Sequence, residues 1–345
     1  MNRISGIVAL LCALTMLSPP PAAAAVGDKP FYEGKTIRIV IGFSAGGGFD
    51  ASARALARHM NRYIPGNPNI IVDPMPGAAS MVAASFIFSQ AKPDGLTIGY
   101  VLSSIMIPEI IGTKVAFESR QFEWIGSPTG VTGVCLTSKA SGIVNLAAWK
   151  AAKEPVKFGA AGQAGDISYD TPKILSHGLG LPLRLVTGHK GLPEMKLAIQ
   201  RGELAGMCQS LESANVVWGD AFKTGEVQII VQTGAAKDPA IPDVPLGRDV
   251  LTSDESRQLL KTGVELPAQM LRVLVLPPRT PRDKLDLLRK AFVETLKDPE
   301  FLADAKKVKM EVNPTFGADV ERIANEFHAM PAPIKQKLKE VLSPN

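Results

Sequence analysis

The sequence predicts an α/β fold divided into two lobes, and three observations support this prediction. Short runs of β-branched and apolar residues alternate with segments of helical periodicity, which is typical of strands connected by helices. The chain has 345 residues, more than a single hydrophobic core usually serves, so two domains are expected. Hydrophobic residues make up 46% and charged residues 21%, a composition typical of globular proteins.

The first 25 residues have the three parts of a secretory signal peptide. Arg3 gives a positive start, residues 4–17 are almost entirely apolar, and small residues follow a proline-rich break. The apolar run is too short to span a bilayer, which takes about 20 residues, so a retained membrane anchor is disfavoured. Because Arg3 has no arginine neighbour, we expect Sec-dependent export to the periplasm, with cleavage after Ala23, Ala24 or Ala25.

The elements that follow the signal peptide alternate between strand and helix. Residues 36–41 are rich in β-branched residues and predict a buried strand. Leu56, Met60 and Ile64 share one face of the helix that comes next, and Pro93-Asp94-Gly95 marks a turn. The predicted strands in this part are 36–41, 69–72 and 96–102, and the predicted helices are 50–63 and 78–90.

The middle of the chain repeats this pattern with shorter elements. Asp166 and Ser168 are both residues that cap helices, so one of them is expected to begin the helix that runs to His177. A segment rich in proline and aspartate, residues 239–245, predicts an irregular connection. The predicted strands are 133–137, 156–159, 183–187, 204–208 and 227–233, and a second predicted helix is 192–200.

The last part of the chain returns to a strand and then becomes helical. Residues 271–276 predict a strand, and Pro281 is well placed in the first turn of a long helix. That helix is amphipathic, and the remaining residues are expected to be helical to the end. The apolar face of the long helix consists of Leu285, Leu288, Phe292 and Leu296.

Several function classes have no support in the composition. The net charge is +5, but basic residues are scattered among acidic ones, so we expect no nucleic-acid partner. No cluster of histidine with cysteine or carboxylates is present, and we therefore expect no metal and no cofactor. Cys135 and Cys208 remain after the signal peptide, either as a disulfide or as two buried thiols.

The glycine-rich stretch 42–50 matches two catalytic or cofactor motifs, each with an argument against it. Gly42 to Gly46 fits the G-x-S-x-G elbow with Ser44 as nucleophile, but further glycines separate this serine from the helix that the elbow requires at once. Gly46 to Ala51 fits a dinucleotide fingerprint, with Asp73 after the next strand. A Sec-exported protein does not meet a soluble nicotinamide pool, which disfavours the second motif.

A third interpretation of the same stretch needs no reactive side chain. A strand, a glycine-rich turn and a helix N-terminus bring several backbone N–H groups together, and the helix dipole adds about half a positive charge there. Glycines let a ligand approach the backbone, and we expect a positive φ at Gly47. Such a turn binds a carboxylate or a similar anion. The alternative is a tight turn that only packs. Asp50 itself is expected to cap the helix rather than to contact the ligand.

Short motifs continue in a consistent order along nearly the whole of residues 26–345. They are 37–40, 43–50, 76–78, 93–97, 122–126, 159–166, 189–191, 202–204, 243–245, 276–281 and 296–299. In this order the motifs resemble the substrate-binding proteins of tripartite tricarboxylate transporters, the Bug family. The resemblance implies a two-lobed type II periplasmic-binding-protein fold with mixed or parallel sheets and an interlobe cleft. It places 26–132 plus 275–345 in lobe 1 and 133–274 in lobe 2.

The resemblance also implies a function. The protein would be a monomeric solute-binding protein, not an enzyme, that passes a small organic acid to integral-membrane transporter subunits. An orphan ligand-sensing protein and a secreted serine hydrolase using Ser44 are the alternatives. The ligand-binding residues implied in lobe 1 are Phe43, Ser44, Gly46, Gly47, Gly48, Asp50, Gly77, Ala78 and Ser80. Those implied in lobe 2 are Gly162, Asp166, Ser168, His189 and Lys190.

The second loop departs from the pattern of the family it resembles. That loop usually reads Asn-Arg-Pro-Gly-Ala-Gly-Gly, whereas residues 74–80 read Pro-Met-Pro-Gly-Ala-Ala-Ser. A charged side chain and an amide are absent, although Ser80 offers a hydroxyl. A less charged, bulkier or aromatic acid is therefore an alternative to citrate. Instead of contacting the ligand, His189 could only pack against its neighbours. Lys190 could be a solvated surface residue.

Overall fold

The computed structural model describes residues 29–343 except Lys190, and within them two β-sheets are covered by helices. The predicted signal peptide and Lys190 lie outside the described residues. The strands are β1 (Thr36–Ile41), β2 (Asn69–Pro74), β3 (Thr97–Leu102), β4 (Glu123–Ser127), β5 (Gly133–Ser138), β6 (Val156–Gly159), β7 (Leu183–Val186), β8 (Gly206–Ser210), β9 (Val227–Thr233), β10 (Arg272–Leu276) and β11 (Thr315–Phe316).

The helices lie on both sides of the sheets. They are α1 (Gly48–Met60), α2 (Met81–Ser89), α3 (Met106–Ile110), α4 (Leu146–Lys150), α5 (Ile167–Leu179), α6 (Leu192–Gln200), α7 (Leu211–Thr224), α8 (Gly247–Val250), α9 (Asp254–Leu260), α10 (Leu266–Gln269), α11 (Arg282–Lys297), α12 (Pro299–Lys307), α13 (Gly317–His328) and α14 (Ala332–Leu342). A π-helical turn, Lys261–Glu265, joins α9 to α10. No helix among the described residues is both long enough and apolar enough to cross a membrane.

Both sheets are mixed, which confirms the predicted α/β class. The first sheet has the order β11-β4-β10-β3-β1-β2, with β1 parallel to β2 and β3 and with β10 antiparallel to β3 and β4. The second sheet has the order β7-β6-β8-β5-β9, with β5 antiparallel to both of its neighbours. We call each sheet with its covering helices a lobe. The chain passes from the first lobe to the second between β4 and β5, and it returns between β9 and β10.

The hydrophobic core consists of three buried clusters. One lies within the first lobe and includes Ile39, Leu56 and Phe292, which connect β1, α1 and α11. A second lies within the second lobe, around Trp218 of α7. The third contains residues of both sheets, such as Val101 and Phe158, together with the buried side of α13 and α14. The lobes therefore share apolar packing as well as the two chain crossings.

The two cysteines are joined across the middle of the second sheet. Cys135 of β5 lies opposite Cys208 of β8, their Cα atoms are 4.0 Å apart, and their sulfurs are bonded. Both side chains are fully buried. Of the two arrangements open from the sequence, the structure therefore has the disulfide.

Candidate binding cleft

Two of the loops predicted to bind a ligand, the one after β2 and the one before α5, line a cavity between the two lobes. In the first lobe the predicted loops follow β1 and β2, which are parallel neighbours, so the carboxyl ends of these strands share one edge of the sheet. The cavity, of about 780 Å³, is lined from the first lobe by Ala78, Ala79 and Met81. From the second lobe it is lined by the loop 161–166 and by Gly188. Residues of both lobes therefore line this cavity.

The first loop presents backbone rather than side chains. Residues 44–48 are exposed, and Phe43 stacks on Phe49 beneath them with ring centroids 4.4 Å apart. Helix α1 has Gly47 as its N-cap, so the N–H groups of its first turn have no acceptor within the helix. Gly47 has a φ of −87°, so the expected positive φ at this residue is wrong; the left-handed residue is Gly46, with a φ of +84°.

Asp50 holds this loop in place from inside the first turn of α1. Its Oδ2 accepts hydrogen bonds from the Gly46 N–H (3.0 Å) and from Arg54 Nε (2.9 Å). The hydrogen bond from Arg54 is the main reason that the pKa of Asp50 lies below its ordinary value. The interpretation of Asp50 as the N-cap is wrong, because Gly47 occupies that position. The buried carboxylate therefore shapes the loop through its contact with Gly46.

The second loop is a left-handed turn that exposes its alanines. Ala78, Ala79 and Ser80 all have positive φ, and Gly77 before them has a φ of 144°. Ala78 and Ala79 are exposed and line the cavity, whereas Ser80 is fully buried. Ser80 Oγ accepts a hydrogen bond of 3.4 Å from Leu102 N–H, so the hydroxyl predicted to face the ligand lies beneath the loop.

The loops after β1 and β2 contact each other at Gly42. A Cβ atom at Gly42 would lie 2.2 Å from Ser80 Oγ and 2.6 Å from Ser80 Cα. Only a residue without a side chain lets the two loops approach this closely. The positions of the loops after β1 and β2 therefore depend on each other.

In the second lobe, Asp166 and Ser168 fold the glycine loop onto the start of α5. Asp166 is the N-cap and accepts a hydrogen bond from Ser168 N–H (2.8 Å), which confirms one of the two caps predicted for this helix. Ser168 is buried, and its Oγ accepts a hydrogen bond from Ala161 N–H (3.0 Å). Gly162 and Asp166 line the cavity, and Ser168 supports them from behind.

His189 follows the cavity wall in the chain. Gly188 before it lines the cavity and has a φ of +96°. Nε2 of His189 is buried, and no hydrogen-bond partner for it exists among residues 29–343, Lys190 aside. A buried polar atom without a partner costs free energy, and the role of His189 as a ligand contact stays a prediction.

One residue beside the first loop was not singled out from the sequence. Arg272, the first residue of β10, lies beside the N-terminus of α1, with its guanidinium 5.1 Å from the Phe49 ring. Its Nη2 is 3.7 Å from the place that a Cβ of Gly48 would occupy. An arginine that opens the strand Arg-Val-Leu-Val-Leu was the only signal available, and charged residues often begin strands.

The two catalytic or cofactor interpretations of the first loop gain no support from the geometry. No hydrogen bond joins Ser44 to a histidine in the described part of the chain, and His328 lies on α13, where its Nε2 is 2.9 Å from Ser119 Oγ. The helix begins at Gly48 rather than directly after Ser44. Asp73 forms an ion pair with Arg38 of the neighbouring strand, so it has a structural partner.

One group of side chains has the spacing of a metal site, away from the cleft. It consists of His59, Asp298 and Glu300. Arg62 Nη1 lies 3.2 Å from Asp298 and 2.8 Å from Glu300, so a guanidinium already supplies a positive charge to both carboxylates. The arrangement is an ion-pair network between α1 and α12 and carries no metal assignment.

Comparison with known proteins gives one family and consistent structural neighbours. Residues 52–339 match the model of the tripartite tricarboxylate transporter family receptor. A UPF0065 protein of Bordetella bronchiseptica is 25% identical over 304 residues, which are 86% of this chain and 84% of that protein.

Solved structures have the same fold at lower identity. A TctC solute-binding protein from Polaromonas is 16% identical and has a TM-score of 0.69, covering 90% of this chain and 98% of its own. MatC from Rhodopseudomonas palustris, solved with bound malate, is 19% identical and has a TM-score of 0.63. It covers 90% of this chain and 99% of its own.

Proposed function

Because this chain belongs to the tripartite tricarboxylate transporter receptor family, a family of solute-binding proteins, we propose that it captures a small organic acid in its interlobe cleft. The family membership and the two-lobed fold confirm the resemblance that the order of motifs indicated. In this proposal the protein delivers its ligand to integral-membrane transporter subunits and does not alter it chemically.

The observation that carries the proposal is the exposed backbone at the end of β1, together with the glycine loop that lines the cavity from the second lobe. Exposed backbone at residues 44–48, at the N-terminus of α1, provides N–H groups and the positive end of a helix dipole. The second lobe contributes the capped glycine loop before α5. Backbone N–H groups of this kind bind a carboxylate without a reactive side chain. The malate bound to MatC, a protein of the same fold, supports a carboxylate ligand here.

The compartment follows from the N-terminal sequence and belongs to the proposal. Export by the signal peptide 1–25 would place the binding lobes in the periplasm, where a receptor meets solutes that have entered from outside. The mass of the protein recovered from a periplasmic fraction tests this step. The measured mass is expected to be that of a chain whose first residue lies between 24 and 26. A full-length chain in the cytoplasm would contradict the proposed export.

Binding is tested by a thermal-shift screen of mono-, di- and tricarboxylates, including aromatic acids. A ligand that binds only the folded state stabilises it by about 2.7 kcal/mol at a concentration of 100 Kd, which raises the melting temperature. At least one acid is expected to do so for the protein without its signal peptide. A screen in which no acid changes the melting temperature would reject the proposed ligand class.

The same protein tests the hydrolase alternative. Esterase assays with the wild type and with Ser44→Ala should show no turnover above background in either. Turnover by the wild type that disappears in Ser44→Ala would replace binding with catalysis as the function. A sensing role is separated from transport by uptake of the identified acid in cells with and without the binding protein.

A further inference from the structure

A second and smaller cavity, of about 120 Å³, lies between the two lobes. Gly165 and Asp166 line both this cavity and the one of about 780 Å³, so the two cavities adjoin at the glycine loop before α5. Leu102, at the end of β3, lines it from the first lobe, and Ile167 of α5 lines it from the second. Further walls come from the π-helical turn and from α10, which precede the return of the chain to the first lobe.

The lining of this small cavity is mainly apolar. Two of its polar side chains already have partners: Ser103 Oγ donates a hydrogen bond to the Pro267 carbonyl (2.8 Å), and Asp166 caps α5. A cavity lined by apolar groups favours an apolar occupant over water, which needs two to four polar partners. The apolar lining includes Leu102, Ile107, Val131, Ile167, Val264 and Leu271.

Asp170 lines the same cavity from the first turn of α5. The residue is 3% exposed, and its Oδ2 accepts a hydrogen bond from Gly165 N–H (2.8 Å). Its other oxygen, Oδ1, is buried and has no hydrogen-bond partner among the described residues. Native proteins rarely leave such an atom unsatisfied, so a polar atom of an occupant is the expected partner.

The environment of Asp170 favours an uncharged partner. Burial raises the pKa of this carboxyl, so it keeps its proton at a pH at which an exposed aspartate has lost it. A protonated carboxyl both donates and accepts hydrogen bonds, as a hydroxyl does. A second carboxylate would lose its hydration here without gaining a cation, because no lysine, arginine or histidine is among the described residues that line the cavity.

The carboxyl of Asp170 also lies next to a contact between the lobes. Gly165, which it holds through Oδ2, has a φ of +101°, and a Cβ there would lie 3.3 Å from the carbonyl oxygen of Ser104 in the first lobe. Ser104 lines the small cavity as well. An occupant of the cavity would therefore contact both lobes at the place where the glycine loop meets the first lobe.

We propose that this cavity is a binding subsite for a compact, uncharged apolar group that carries a hydroxyl, with the hydroxyl hydrogen-bonded to Asp170 Oδ1. The inference rests on the proposed function and specifies its ligand class: the group is the far end of an acid whose carboxylate lies in the adjoining cleft. A separate alcohol or phenol offers the same chemistry, and titrations distinguish the two sources. An engineered apolar cavity of roughly 150 Å³ in another protein holds a benzene ring, so the group is at most about that size.

Two matched series of acids test the subsite. Benzoate, 4-hydroxybenzoate and terephthalate differ at one ring position, and hexanoate, 6-hydroxyhexanoate and adipate differ at one chain end. In calorimetric titrations of the protein without its signal peptide, the hydroxy acid of at least one series should bind about 3- to 10-fold more tightly than its parent, because it gains one hydrogen bond. The dicarboxylate of that series should bind more weakly than the hydroxy acid, because its second charge is desolvated.

Phenol without a carboxylate tests the second source. Its titration measures whether the small cavity binds a separate molecule. Nuclear Overhauser contacts between the ring protons and the methyl groups of Ile167 and Val264 establish whether it lies there. The same contacts are expected from 4-hydroxybenzoate where that acid is the preferred one.

Variants of Asp170 test the hydrogen bond. Asp170→Leu should remove the preference for the hydroxy acid, whereas Asp170→Asn should keep part of it, because an amide still donates and accepts. The ratio of affinities within a series is the measure, since loss of the hydrogen bond to Gly165 would weaken both acids alike. Asp220→Asn, on the exposed side of α7, should keep the ratio of the wild type. Melting temperatures without ligand establish that each variant is folded.

The outcomes separate the inference from the proposed function. An unchanged ratio in folded Asp170→Leu, or tightest binding of the dicarboxylate in both series, would overturn the inference and leave a carboxylate-binding protein. The same holds if acids bind, neither hydroxy acid is preferred and phenol does not bind. Phenol that binds to the wild type and not to Asp170→Leu supports the subsite with a separate molecule as its source. If no acid of any kind binds, the proposed function fails, and phenol then decides the subsite alone.

Discussion

Two adjacent glycines in the first loop differ in what an added methyl group would do. Gly46 has a φ of +84° and Gly47 a φ of −87°, and a Cβ at either position would meet no atom closer than 3.8 Å. Gly46→Ala should therefore lower the free energy of unfolding by about 1–2 kcal/mol through backbone strain alone. Gly47→Ala should change it by less than about 0.5 kcal/mol. Urea denaturation of both variants measures the difference.

Variants of Gly46 and Gly47 also distinguish an effect on folding from an effect on ligand binding. Gly47→Val should leave the protein folded but weaken ligand binding, because its branched side chain would cover the N–H groups of the first turn of α1. Equal stability losses in Gly46→Ala and Gly47→Ala would contradict the backbone assignment of this loop. Unaltered binding in Gly47→Val would contradict its role in the cleft.

Asp170 gives the stability of the protein a dependence on pH. It is 3% exposed, its Oδ2 accepts a hydrogen bond from Gly165 N–H (2.8 Å), and its Oδ1 has no partner among the described residues. Burial raises the pKa of this carboxyl well above its ordinary value, and Asp166 adds to the rise, while Gly165 and Lys173 oppose it. The folded state therefore retains a proton that the unfolded state releases.

The sign of the effect follows from this difference in pKa. As pH rises above the ordinary pKa of an aspartate, the unfolded chain ionises first, so the free energy of unfolding falls until the folded pKa is passed. Asp170→Asn should remove this decline and make the protein more stable than the wild type at pH 8. Urea denaturation at pH 5 and pH 8 measures it. Asp220→Asn, an exposed control, should keep the decline of the wild type.

At the level of single residues, the sequence predicted loops better than side chains. The glycine-rich turns were recognisable because backbone approach requires residues without a Cβ. Ser80 was predicted to face the ligand, but its burial depends on Gly42, a neighbour in space and not in sequence. Arg272 was missed for the same reason, since its place beside α1 is created by the antiparallel pairing of β10 with β3.

The bounds of strands and helices were predicted correctly where residues in the sequence mark the ends of the element. The predicted bounds of β6, β9 and α6 are those of the structure, because proline, glycine or a change of periodicity marks their ends. Strand β4 was not assigned as a strand, and α7 was not assigned as a helix. Helix α7 buries only Leu211, Ala214 and Trp218, so its apolar face is narrow, and it follows β8 without a glycine or proline.

The disulfide between β5 and β8 is the strongest covalent constraint on the second sheet. It joins residues 73 positions apart. Closing a loop of that length lowers the conformational entropy of the unfolded chain, which raises the free energy of unfolding by about 4 kcal/mol. The double variant Cys135→Ala with Cys208→Ala should therefore have a lower free energy of unfolding, by up to about 4 kcal/mol. Urea denaturation of the oxidised protein and of the variant measures the loss.

A reducing agent supplies the control for this prediction. Added to the unfolding experiment, it should lower the stability of the wild type towards that of the double variant and leave the variant unchanged. Equal stability of the oxidised wild type and the variant would show that the bond does not stabilise the native state. Mass spectrometry with and without reduction establishes which form is present.

In the whole molecule, the C-terminal helix is a third connection between the lobes. Helix α13 packs on β4 of the first sheet, and α14, which follows it directly, packs on α5 and α9 of the second lobe. Tyr169 and Lys173 of α5 donate hydrogen bonds to the carbonyl groups of Leu342 and Ser343. The division into lobe 1, 26–132 plus 275–345, and lobe 2, 133–274, stays a prediction. A test of this division must include α14, because this helix packs on the second lobe.

Leu338 is the residue through which this connection should be tested. It is fully buried on α14, and replacing it by alanine removes apolar contacts and leaves a cavity, at a cost of about 2–5 kcal/mol. Because α14 joins the two lobes, Leu338→Ala should also make their unfolding less cooperative. Urea denaturation followed by both fluorescence and circular dichroism should give coincident transitions for the wild type and separated ones for the variant. Gln336→Ala, on the exposed side of the same helix, should behave as the wild type, and equal stability of the two variants would show that α14 does not hold the lobes together.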